Sequence, residues 1–318
     1  MTSISALATH RGEHARGVGL RRAVLARQVL LGDCITLGDN ARTLLSRRAW
    51  QRPACVVPLD SRRHRRPSAA DLAVAVATQL LAAHPELATQ RIGTLIYCHE
   101  APDAHMSAST AGRLQHELGL TAAHPLAISQ AHNTAPWIAL DLALGLIEGP
   151  ECAEHVLLVS SDKLVFGGPG QDARALVFRD VATAMLVSRG DARGWRVEAV
   201  ALHQFDTPHD GLTAWPAAAR QAFAHFGAAA VAKLLAQCAV AAAGLHAVLA
   251  VSADPALAQA LHRAAGLAPA RPGSAHVGAT QWLLELAATA PHTPVGQIVL
   301  VWAAGNNGEF ACSLLQRL

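Results

Sequence analysis

Short apolar runs that do not alternate with polar residues recur along this chain, and segments of helical pattern lie between them. Ile92–Cys98, Leu126–Ser129, His155–Ser161 and Ala182–Ser188 are of this kind in the first part. Trp195–Leu202, Ala247–Val251, Ile298–Ala303 and Phe310–Gln316 follow in the second. A strand covered on both faces has no polar side to show, so it reads as a continuous apolar run. The helical stretches are Ser68–His84 with Ser68 as N-cap, Ser109–Leu118 closed by Gly119, and Pro136–Ile147 closed by Gly149. Ala217–Ala243, with Gly227 as an expected interruption, Pro255–Ala265 ended by Gly266, and Thr280–Ala290 complete the set. The expected class is α/β: a parallel or mixed sheet with helices on both sides.

The order of elements repeats after Arg189–Gly194, which divides the chain into two expected halves, 1–190 and 191–318, without a residue-level repeat. With 318 residues, 52% hydrophobic and 15% charged, the chain can bury a large core. No apolar run reaches the ~18–20 residues that span a bilayer, and Met1–Val18 lacks a signal-peptide pattern. The cysteines at 34, 55, 98, 152, 238 and 312 are scattered with no C-x-x-C pair, as expected of reduced thiols in a cytoplasm. A net charge of +3 gives no reason to expect a nucleic-acid partner. Gly167-Gly168-Pro169-Gly170 lacks the strand–helix setting of a phosphate-binding glycine motif.

One strand-to-helix junction has chemical potential. From Trp137 onward apolar residues occupy nearly every face: Ile138, Ala139, Leu140, Leu142, Ala143, Leu144, Leu146 and Ile147. Such a helix is expected to be buried all round. Pro136 suits its first turn, where a missing N–H costs nothing. The residues just before it, Ala131–Thr134, then lie at a buried helix N-terminus with free N–H donors and a positive dipole end. That is a suitable place for a nucleophile or an oxyanion.

The motifs around this junction carry a family resemblance. Ile128–Ala143 resembles the segment of type III ketoacyl synthases that reads D-x-x-x-A-C-x-G before an apolar helix. The cysteine slot falls on His132 or Asn133. Leu95–Asp103 resembles the family's strand and T-x-x-P-D loop, with His99 in the threonine slot, and Ser109–Gln115 resembles its P-S-T-A-x-x-L-Q helix. Val156–Lys163 resembles the next buried strand, and Phe178–Ala184 resembles F-G-D-G-A-G-A with its glycines replaced. Gly273–Leu284 resembles G-H-V-G-A-x-D-Q, and Gly305-Asn306-Asn307-Gly308 resembles the G-x-G-G turn before the last strand. The resemblance spans roughly residues 65 to 318. It implies a thiolase-like fold of two similar α/β halves layered α-β-α-β-α, a dimer, and acyl thioesters of an acyl carrier protein or coenzyme A as substrates.

The positions that would carry the family's chemistry diverge together. The slot of the second-half histidine is Ser252, and the third catalytic position falls on His276 or Gln281. A thiolate nucleophile therefore has neither its cysteine nor its partners. One reading is an acyltransferase of specialised biosynthesis without a covalent cysteine. In it His132 or His276 is general base toward a hydroxyl or amine acceptor, and Asn133 and Ser252 complete the catalytic set. His99, Gly305, Asn306, Asn307 and Gln281 are its expected substrate-binding residues, with no cofactor. A second reading is a catalytically silent subunit in a heterodimer with an active ketoacyl-synthase-like partner. Metal binding by His99, His132 and His276 has least support, since no pair shows the short spacing of zinc ligands. The basic run Arg62-Arg63-His64-Arg65-Arg66 could attract an acidic carrier protein or a coenzyme A phosphate.

Overall fold

The computed structural model describes residues 28–30, 68–85, 91–100, 109–129, 131–149, 154–162, 181–189, 194–206, 215–252, 254–269, 278–305 and 307–318. The basic run at 62–66, Cys34, Cys55 and Cys152 lie outside them. The strands are β1 (Gln28–Leu30), β2 (Ile92–Cys98), β3 (His124–Ile128), β4 (His155–Asp162), β5 (Val181–Ser188), β6 (Trp195–Gln204), β7 (Leu245–Val251), β8 (Ile298–Ala304) and β9 (Glu309–Arg317). The helices are α1 (Ala69–Ala83), α2 (Thr110–Glu117), α3 (Ala135–Glu148), α4 (Ala217–Gln237), α5 (Pro255–Ala264) and α6 (Gln281–Thr289). Two 3-10 turns, His132–Thr134 and Gly278–Thr280, lead directly into α3 and α6.

Local signals act where the sequence places them. Ser68 caps α1 in a reciprocal box, its hydroxyl accepting from the Asp71 amide while the Asp71 carboxylate accepts from the Ser68 amide. Arg113 ties Asp71 to α2 at 2.6 Å. Gly119 ends α2 at φ +66°, the left-handed geometry that glycine adopts without strain.

The strands form one sheet in the order β3-β2-β4-β5-β1-β6-β9-β8-β7. β2 pairs parallel with β3 and β4, and β7 with β8, whereas β5, β6 and β9 run antiparallel to their neighbours. Period-two alternation splits the inner strands β2, β4, β5, β8 and β9 between two buried layers, whereas β3 at the edge is partly exposed. Ile96, Leu158, Val187, Val197, Val251, Val301 and Ala311 all face one central core, which also holds α3 and α6. The opposite faces of β2, β4 and β5 pack on α1 and α2 through Leu95, Tyr97, Leu157 and Leu186. Those of β8 and β9 pack on α4 and α5 through Leu300, Trp302, Phe310 and Leu314. The result is the α-β-α-β-α layering, with the central helices shared by both halves of the sheet.

Two expectations change. Gly227 does not interrupt α4, which runs unbroken over Ala217–Gln237. It allows close packing: a Cβ there would lie 2.6 Å from Leu261 Cδ1 and 2.9 Å from Phe310 Cε2. Gly227→Ala is therefore expected to destabilise the protein by about 1–3 kcal/mol despite its gain in helix propensity. Urea unfolding checks it, and an unchanged or raised midpoint would disprove the close fit. The second change concerns α3, which is not buried all round. Ile138, Asp141, Leu142 and Gly145 form an exposed stripe. Leu126, on the edge strand β3, is exposed as well.

Candidate active site

β3 leads through Ser129 and Ala131 into the His132–Thr134 turn, which delivers the chain to the head of α3. Thr134 closes the turn, its hydroxyl and amide both donating to the Ala131 carbonyl, at 2.7 and 2.9 Å. Asn133 and Thr134 are 2% and 1% exposed, so the head of α3 is inside the protein. The side chain of His132 lies outside the described residues, as do His276 and Asn306.

Asn133 crosses to the second half of the chain. Its Nδ2 donates to the Ala304 carbonyl at the end of β8, 3.1 Å away. That bond sets the amide's orientation, since a carbonyl can only accept. What remains is Oδ1, which is buried and has no hydrogen-bond partner among the described residues. A buried acceptor left open costs roughly 1–3 kcal/mol, so its place is favourable for a ligand N–H or O–H.

Other expected site residues have local duties. The Gly305 amide donates to the Glu309 carbonyl at 2.8 Å, and the Asn307 amide to the Glu309 carboxylate at 2.9 Å. Gln204 holds the Asn307 carbonyl at 2.8 Å. The Gly305 and Asn307 amides are thus engaged inside their own turn, because Glu309 folds back over it. Ser252 bonds Asp254 through both its hydroxyl and the Asp254 amide. Asp254 in turn caps α5 and pairs with Arg220 at 2.6 Å. These bonds make Ser252 a structural hydroxyl. His99 stacks on Tyr97 with ring centroids 5.0 Å apart, and its amide extends the β2–β3 ladder to Ile128. Gln281 is buried as the first residue of α6.

The described cysteines are poor nucleophiles. Cys98 is fully buried below the head of α3, its Sγ–H directed at the Ala135 carbonyl at 3.8 Å. Burial pushes its thiol up to about 12, and does the same to Cys312. Burial also raises Cys238. A thiolate needs the opposite environment.

A carboxyl pair, Asp162 buried and Glu100 half-buried, was not foreseen. Asp162 ends β4, and its Oδ1 accepts from the Glu100 amide, just past β2, at 2.9 Å. Gly278, at φ +62°, presses on both groups: a Cβ there would lie 2.5 Å from Asp162 Oδ2 and 2.8 Å from Glu100 Oε2. Burial, then the Glu100 charge, push the Asp162 carboxyl up to about 7, against the amides of Glu100, Ala279 and Thr280 that favour its charged form. The available signal was an acidic residue at or just past the end of each of two largely apolar strands. Among the described residues no cluster of His, Cys, Asp or Glu could hold a metal ion. Nor is any described helix long and apolar enough to cross a membrane.

No protein-family model matches the sequence, and no curated protein matches it either. Solved structures do match. 3-Oxoacyl-(acyl carrier protein) synthase III, FabH from Pseudomonas aeruginosa PAO1, is 23% identical over 79% of this chain and 84% of its own, with a TM-score of 0.63. OleA from Xanthomonas campestris, crystallised with lauric acid and lauroyl-CoA, is 13% identical over 80% and 83%, with a TM-score of 0.67. The acyltransferase ChlB3 is 18% identical over 92% and 96%, with a TM-score of 0.64. At such identities the likeness is one of architecture, and the architecture of this protein is the thiolase-like α/β fold that type III ketoacyl synthases share.

Proposed function

We propose that this protein is an atypical acyltransferase of the ketoacyl synthase III kind. It would pass an acyl group from a carrier-protein or coenzyme A thioester to a hydroxyl or amine, without a covalent cysteine. The observation that carries this reading is Asn133. At the buried head of α3 it offers an acceptor, Oδ1, which suits the O–H or N–H of an incoming nucleophile and cannot serve an oxyanion. In the reaction the acceptor oxygen or nitrogen attacks the thioester carbonyl, His132 or His276 takes its proton, and the thiolate leaves and recovers that proton. The names of ChlB3 and of OleA with its lauroyl-CoA support the substrate class. A specialised biosynthetic pathway in the cytoplasm belongs to the same reading.

The engaged Gly305 and Asn307 amides favour a second reading, a silent subunit that supports an active partner. Intact-mass measurement of the purified protein with acyl-CoA and a hydroxyl or amine acceptor separates them. The first reading expects acylated acceptor and no acyl adduct on the protein. A stable adduct would refute the cysteine-free route. Inactivity alone, combined with stimulation of an added ketosynthase, would establish the second.

Both readings include a dimer. Leu126 on the edge strand β3, with Ile138 and Leu142 on α3, leaves large apolar side chains 36–40% exposed beside a strand edge that is unpaired among the described residues. A second copy or a homologous partner would cover them, in an interface upwards of ~2,000 Å². Leu142→Glu is expected to shift the protein to monomer in sedimentation. A parent protein that sediments as a monomer, with and without candidate partners, would contradict both readings.

A further inference from the structure

The carboxyl pair joins the two halves of the molecule at the point where the candidate site is assembled. Asp162 belongs to β4 and Glu100 follows β2, while Gly278, Ala279 and Thr280 lead into α6. The Asp162 carboxylate is 2% exposed and faces the amides of Glu100, Ala279 and Thr280. Its Oδ2 makes no well-formed hydrogen bond among the described residues, although Gly278 lies against it. Because Gly278 covers the pair, it has no room to meet a substrate directly. It can, however, decide how tightly the 278–280 turn is held. That turn packs beside the His132–Thr134 turn that carries Asn133.

We propose that Asp162, set against the Glu100 charge, forms a pH-sensitive clip between the halves: with Asp162 protonated the pair holds the Gly278–Thr280 turn and the head of α6 in place, and with Asp162 ionised it releases them. Two carboxylates around one buried glycine cannot both be charged without strong repulsion, since low local polarity leaves the charges unscreened. One proton removes the repulsion and gives Oδ2 a donor.

The other groups around Asp162 do not replace this control. Among the described residues the titratable groups acting on it are Glu100 and, through its thiol, Cys98, both from the β2 end. β5 brings Val181 opposite it, and the 278–280 turn contributes only Gly, Ala and Thr. Lys163 and Asp180, its neighbours in sequence and strand pairing, lie outside the described residues. Cys98, with its thiol pushed up to about 12, stays neutral across the relevant range.

Opening the clip exposes Asp162 to water, where its carboxyl returns to the ordinary value near ~4. The opening equilibrium then rises about tenfold per pH unit up to about pH 7 and levels off above it, following the Asp162 carboxyl. Hydrogen exchange of the full chain at pH 5.5 and 8.5, corrected for intrinsic rates, reads this out. Segment 278–289 of the parent is expected to lose at least about tenfold in protection between the two conditions. Asp162→Asn, which mimics the protonated form, is expected to keep its protection at both. Glu100→Gln, which removes the repelling charge, is expected to lose less than about threefold. If Asp162→Asn proves unable to fold, Glu100→Gln decides alone. Equal protection of the parent at both pH values, or variants that lose it as the parent does, would overturn the clip. The readout requires no catalytic activity, so it stands or falls separately from the proposed acyl transfer.

Discussion

Alanine at His132 or at His276 is expected to lower acyl transfer by roughly 10²–10⁴-fold, whereas Cys98→Ala leaves it within about twofold. The histidine figure is the usual contribution of one positioned general base. At least one of the two should show it, since the proposed route assigns the acceptor's proton to no other group. The contrast with Cys98 follows from its surroundings. Its sulfur is fully buried, bonds the Ala135 carbonyl, and is held as a thiol by burial. Asn133→Ala should act differently from the histidines. It removes the acceptor Oδ1 and the bond to Ala304, so it should weaken acceptor binding and loosen the junction of the halves. Steady-state rates with a purified, partner-free protein provide the test. If both histidine variants match the parent, neither residue is the base and the cysteine-free route loses its chemistry.

The second large effect is a fall in stability with rising pH that disappears in Asp162→Asn. The folded-state carboxyl of Asp162 lies at about 7, above the ~3.9 of an unfolded chain. A group raised in this way binds its proton more tightly when folded. Its contribution is therefore complete below the unfolded value and is lost as pH rises through the folded one. Between pH 5.5 and 8 the loss amounts to about 2 kcal/mol, from the part of that window lying between 5.5 and 7. Urea unfolding of parent and variant at the two pH values isolates it. The variant should gain on the parent by that amount at the higher pH. A constant difference between the two proteins would remove Asp162 as the cause. His262 pulls the other way. It is neutral in the fold, with Nε2 accepting from Trp302 and Nδ1 set on the Ala268 carbonyl, and burial lowers its basicity. Its contribution is lost on the acid side, so the pair of proteins must be compared and not the parent alone.

Much of the fold follows from the sequence alone because burial leaves a local imprint. Unalternating runs mark strands covered on both faces, and eight of them appear as β2 to β9 within a few residues of their expected bounds. The Ser68 cap, the Gly119 stop and Pro136 in the first turn of α3 are one-position signals with local causes. The resemblance in ordered motifs added the layering that periodicity cannot express. Periodicity says that a side chain is buried, never against what. For that reason Gly227 read as a helix break when it is a contact point, and α3 read as buried all round when one stripe of it is exposed.

The site shows the same division more sharply. The sequence by itself determined that Asn133 would sit at a helix N-terminus and that the family's cysteine slot holds no cysteine. Only the tertiary structure decided that its amide turns its donor to Ala304, 171 positions away, and keeps its acceptor open. Only the tertiary structure brought Asp162, Glu100 and Gly278 to one point. These meetings join strand ends and turns that are distant in the chain. Their energies come from desolvation and from hydrogen bonds across the junction of the halves, terms that no window of neighbouring residues contains.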